Sequence, residues 1–140
     1  MEKSDFQNYR MLAQEVRTLQ SRLKELEGTI YAPTGQRYSL TPRAASGRSH
    51  TMDDVVAAHA ALEDRLLKML AEKNRRLLVI YQAIDSLADP GERMVMGYRY
   101  IDGFSWRKIC GLMQSRGYSE RQVYRLHGWA LEKLKEVQSG

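Results

Sequence analysis

The side chains best suited to chemistry lie late in the chain. Glu120, Arg121, Gln122, Tyr124 and Arg125 stand close together, with Arg107, Lys108 and Arg116 upstream. Arginine can bond guanine through two parallel N–H groups, glutamine suits adenine, and glutamate accepts from the cytosine amino group. Basic residues on flanking turns hold phosphates and set register. The combination is that of a duplex reader. Nothing in the sequence points to catalysis: no Ser/His/Asp pattern has a nucleophile context, and no glycine loop cradles phosphate. His50, His59 and His127 lie far apart and Cys110 is the lone cysteine, so neither a metal site, a cofactor nor an internal disulfide is expected.

Those residues need a helix to present them. Ser119 and Gln122 form an S-x-x-Q capping box that starts one. With Val123, Leu126, Ala130, Leu131 and Leu134 inward, Glu120, Arg121, Gln122, Tyr124, Arg125 and His127 are expected to face outward or to the flanks. A charged, solvated face on an ordinary bundle is the plainer alternative. Ser105 caps a preceding helix with Ile109, Leu112 and Met113 inward, and Gly103 and Gly117 break the chain between helices. Asp89, Pro90 and Glu92 supply a capping acceptor, a preset φ and a back-bonding carboxylate for a third helix carrying Met94, Val95 and Tyr98. Cys110 and the two tryptophans, Trp106 and Trp129, are read as packing residues.

The run E-R-M-V-M-G-Y-R-Y-I-D-G-F-S-W-R-K-I, followed by Y-S-E-R-Q-V-Y-R-L-H-G-W-A-L-E-K-L, resembles the C-terminal promoter-reading domain (region 4) of primary-type sigma factors. It is more similar still to the small phage-encoded late-gene regulators of the ArpU/RinA kind. The resemblance covers roughly the last 50 residues. It implies a sigma-like helix-turn-helix bundle in which Glu120, Arg121, Tyr124 and Arg125 contact DNA, Val123 and Leu126 are buried, and Arg99 is the basic residue ending the preceding helix. It further implies a sequence-specific transcriptional regulator of phage or prophage late genes, working on promoter or operator duplex at the nucleoid of a bacterial cytoplasm. One departure stands out. About three residues, Gln114, Ser115 and Arg116, are extra between the two helices, and they are expected to lengthen the first of the pair.

Upstream, Leu12, Val16, Leu19, Leu23, Leu26 and Ile30 alternate steps of four and three, the spacing of a helix that pairs. A second stripe runs through Val55, Leu62, Leu66, Met69, Lys73, Leu77, Ile80, Ile84 and Leu87 on a helix capped by Thr51 and roughly 50 Å long. The two fit either an antiparallel hairpin within the chain or a coiled coil between two copies. The expected fold is all-α: a helical hairpin or coiled-coil arm over 1–87, with a basic loop over 31–51, then the three-helix domain over 88–140.

Charge follows that division. The formal net charge is +5, residues 31–51 hold three basic and no acidic side chains, and residues 88–140 hold nine basic and six acidic. The excess sits where phosphate contact is expected. Arg37, Arg43, Arg48 and His50 belong to the loop, read as a solvated linker or a second grip on phosphate or polymerase. No apolar run is long enough for a signal peptide or a membrane span, so no membrane partner is expected. Two other functions share the sequence features: an accessory factor docking on RNA polymerase with little DNA affinity of its own, and a small terminase-like DNA-packaging subunit.

Overall fold

The computed structural model describes residues 1–30 and 51–137, and over these the chain is all-helical. Its helices are α1 (Lys3–Ile30), α2 (Met52–Asp85), α3 (Pro90–Met96), α4 (Trp106–Gln114) and α5 (Glu120–Leu134); a π turn, Gly97–Ile101, continues α3. None of them is long and apolar enough to cross a membrane. The basic loop, with Arg37, Arg43, Arg48 and His50, lies outside the described residues.

The chain forms two compact units, one continuous in sequence and one built from two non-adjacent stretches. One is Glu15–Ala71; the other joins Met1–Gln14 to everything from Glu72 onward. In the first unit the later part of α1 packs on the earlier part of α2. Val16, Leu19 and Leu66 are buried together, with Leu23, Leu62, Met69 and Leu70 against them. His59, near the start of α2, meets Glu27, near the end of α1, at 3.2 Å, so the helices run antiparallel here. Of the pairing stripe, Val16, Leu19 and Leu23 pack within the chain. Leu12, Leu26 and Ile30 are only half-buried.

The second unit holds two apolar cores. Val95, Ile109, Met113, Val123 and Leu126 form one among α3, α4 and α5. The other gathers Phe6, Tyr9 and Ala13 of α1, Ile80, Ala83 and Ile84 of α2, Leu87, Met96 and Tyr100, and Ala130, Leu131 and Leu134 of α5. The expected boundary between residues 87 and 88 thus falls inside one unit, because the first turns of α1 and the last turns of α2 complete the bundle that α5 begins.

A single rod serves both cores, because neighbouring positions on a helix face different ways. Asp102 N–H donates to the Gly97 carbonyl five residues back, which widens the helix at that point. Val95 meets the α4–α5 core, whereas Met96 and Tyr100 meet the core that includes α1. Phe6 and Tyr100 pack ring to ring at 5.2 Å. Burial raises the Tyr100 pKa, so its hydroxyl keeps its proton.

Candidate nucleic-acid interface

Local sequence fixes the start of each helix around the candidate site. Asp89 accepts from the Glu92 N–H, with Pro90 at the first helical position. Ser105 accepts from the Lys108 N–H. Ser119 accepts from the Gln122 N–H while the Gln122 carbonyl oxygen accepts from the Ser119 N–H at 2.7 Å, a complete capping box. Gly103 and Gly117 take φ of 74° and 94°, conformations that a Cβ would strain. Of the extra residues, Gln114 ends α4, whereas Ser115 and Arg116 form the turn closed by Gly117. The expected lengthening is one residue deep, because the Gly117 turn returns the Tyr118 N–H to the Met113 carbonyl.

Two side chains expected near this surface do other work. Glu92 was expected to bond back to its own cap; its carboxylate is buried instead and takes Lys133 Nζ of α5 at 2.6 and 2.9 Å. This ties the start of α3 to the last turns of α5. His127, expected outward or on the flank, is 8% exposed. Its Nε2 lies 2.8 Å from the Tyr100 hydroxyl and its ring packs edge-on to Trp106. Burial, then the charges of Lys3 and Arg99, push its pKa down to about 4, so it is neutral near pH 7. The 3.6-residue period puts 127 beside 123 and 130, and both of these are core.

The outward face of α5 carries what remains. Glu120, Arg121, Tyr124 and Arg125 line one open hollow on the surface. On the opposite side of the same helix Val123, Leu126 and Ala130 are buried. Neither Arg121 nor Arg125 takes part in an ion pair or side-chain hydrogen bond among the described residues. Tyr124 leans on Trp106 at 5.1 Å. Cys110 packs against the core of α3, α4 and α5, and burial chiefly raises its thiol pKa. Gln122 is exposed, but its oxygen belongs to the cap, and pairing both amide atoms with adenine would open the box.

Of the expected phosphate-holding residues, Arg107 and Arg116 are exposed on α4 and on the turn. The Lys108 ammonium lies 3.9 Å from the centroid of the Phe104 ring. Arg99 stacks its guanidinium on Trp106 at 4.7 Å and donates to the Phe104 carbonyl, which ties the π turn to the start of α4. Trp129, expected to seal a contact, is 55% exposed on the outer side of α5. Among the described residues, no group of three His, Cys, Asp or Glu side chains could hold a metal.

Compared with known proteins, the chain matches no family model, no curated protein and no solved structure.

Proposed function

We propose that this chain is a sequence-specific DNA-binding transcriptional regulator, of the phage late-gene kind its sequence resembles, and that α5 enters the major groove. One observation carries the reading. The hollow of Glu120, Arg121, Tyr124 and Arg125 is fully outward on a helix whose other side is locked by Val123, Leu126 and Ala130. Four base- or phosphate-reading side chains on one rigid face meet the geometry required of a recognition helix, and the N-terminal end of α5 brings free backbone N–H groups toward phosphate. Arg107 and Arg116 flank that face as backbone contacts, and Lys108 does so after leaving the Phe104 ring.

Selection of bound duplexes from a random pool, followed by anisotropy titration, tests the proposal. Arg121→Ala and Arg125→Ala should each weaken the selected site by about 10- to 100-fold and relax the preferred base, as expected for lost bidentate contacts. Undiminished affinity for the selected site together with an unchanged base preference in the double variant would remove α5 from the role.

The exposed Trp129 favours a second reading, in which the same domain docks on RNA polymerase. A large aromatic, 55% exposed, is a common anchor of protein contacts. Co-purification with polymerase in the absence of DNA, lost on Trp129→Ala, is its signature.

A further inference from the structure

A second concentration of positive charge lies apart from the hollow on α5. The first turns of α1, the π turn and helices α4 and α5 enclose a cleft of about 300 Å³ lined by Lys3, Arg10, Arg99, Tyr100, Trp106 and His127. Three cations reach it and no carboxylate lines it. No ion pair joins Lys3, Arg10 or Arg99 to an acidic residue among the described residues. Arg10 Nε is buried without a hydrogen-bond partner.

Such an arrangement is costly on its own. Guanidinium N–H groups removed from water are ordinarily paired, and like charges are ordinarily separated. Here the charge of Arg10 bears on Arg99, and those of Lys3 and Arg99 add to the burial that keeps His127 neutral. Arg99 is already positioned, its plane resting on Trp106 and one N–H spent on the Phe104 carbonyl. An oxyanion placed between Arg10 and Arg99 would satisfy the orphaned donor and screen the repulsion together. Three cations ask for more than the single charge of a carboxylate, and the volume lies at the small end for ligand sites.

We propose that this cleft binds a phosphate group, with Arg10 and Arg99 as its donors and Lys3 closing the open side. The phosphate can come from a small phosphorylated molecule or from the backbone of a duplex. The site stands independently of the role proposed for α5, since its residues and those of the α5 hollow do not overlap.

The test uses the full chain, isotopically labelled so that the arginine Nε–H signals are resolved, with Trp129→Phe introduced so that fluorescence reports Trp106 alone. Sodium pyrophosphate is titrated at constant ionic strength against sodium chloride, and a duplex is titrated separately. The expected result is a saturable shift of the Arg10 Nε–H signal together with a change in Trp106 emission. Arg10→Met should weaken that binding at least about tenfold, the loss expected for a charge-assisted hydrogen bond. Lys3→Met, at an exposed position, repeats the test should Arg10→Met fail to fold. A response to pyrophosphate identifies a small-molecule site, and a response at Arg10 to duplex alone identifies a backbone phosphate. Silence of Arg10 toward both ligands, or undiminished affinity in the folded variants, overturns the proposal.

Discussion

Acidification from about pH 7 to pH 5 should weaken the bundle through one ring, that of His127. The imidazole lies between Tyr100 and Trp106, and its pKa falls from 6.5 to about 4 through burial first and then the nearby charges of Lys3 and Arg99. Because the folded value lies below the unfolded one, the fold prefers the neutral ring. The stabilisation is complete above about pH 6.5 and is lost progressively as pH falls through 4. At about 1.4 kcal/mol per pH unit, the linked loss reaches about 2 kcal/mol at pH 5. Urea unfolding followed by circular dichroism reads this directly. With a denaturant dependence of about 2 kcal/mol per molar, the midpoint should drop by about 1 M between the two pH values. His127→Gln keeps an acceptor for the Tyr100 hydroxyl but cannot titrate in this window, and the remaining histidines are common to both proteins. The variant should therefore lack that part of the decline. Parallel declines in the two proteins, or a His127 proton resonance titrating near pH 6.5, would refute the reasoning.

Three further outcomes follow from the packing. Phe6→Ala removes a fully buried ring from a core shared by α1, α2 and α5 and should cost about 3–5 kcal/mol in thermal or urea unfolding; a cost under about 1 kcal/mol would mean that α1 does not belong to that core. Lys133→Met strands the buried Glu92 carboxylate, and because the lysine is 57% exposed the cost should be about 1–3 kcal/mol, below that of a fully buried pair; Glu92→Gln combined with Lys133→Met should recover part of it in the same assay. Arg116→Ala should weaken binding to all duplexes alike and lower the slope of log affinity against log salt by about one, whereas a change in base preference would make Arg116 a reader of sequence.

Helix starts were legible because their causes are local. Asp89, Ser105 and Ser119 each sit within three residues of the backbone N–H they satisfy, and the caps form as their spacing implies. The inward faces of α4 and α5 were legible for the same reason: Ile109, Met113, Val123, Leu126, Ala130, Leu131 and Leu134 repeat at helical spacing and are all buried. The outward positions of Arg121, Tyr124 and Arg125 follow from them. What escaped the sequence is long-range. Phe6 and Tyr9 continue the stripe of α1, yet nothing local says that they join a core with α5 rather than with a partner helix. Val95 turns toward α4 and α5 while its neighbour Met96, with Tyr100, turns toward the core that includes α1, so a single-stripe reading selects Met94, which is only half-buried. Glu92 looked like a capping carboxylate because its true partner, Lys133, is 41 residues away. His127 could have been caught, since its position on the wheel adjoins Val123 and Ala130; its polar identity argued for the surface and the Tyr100 hydroxyl reversed that.

The core that joins Phe6 and Tyr9 to Leu131 and Leu134 also dictates when this protein can fold during its synthesis. At synthesis rates of about 5–20 residues per second, α1 waits on the order of ten seconds after leaving the ribosome before the last turns of α5 follow. In that interval its earliest aromatic residues have none of their α5 neighbours, and closing the bundle means bringing together stretches separated by nearly the whole chain. Assembly of the domain that presents Arg121 and Arg125 thus comes late, and nascent chains interrupted before α5 should be substrates for chaperones or proteases.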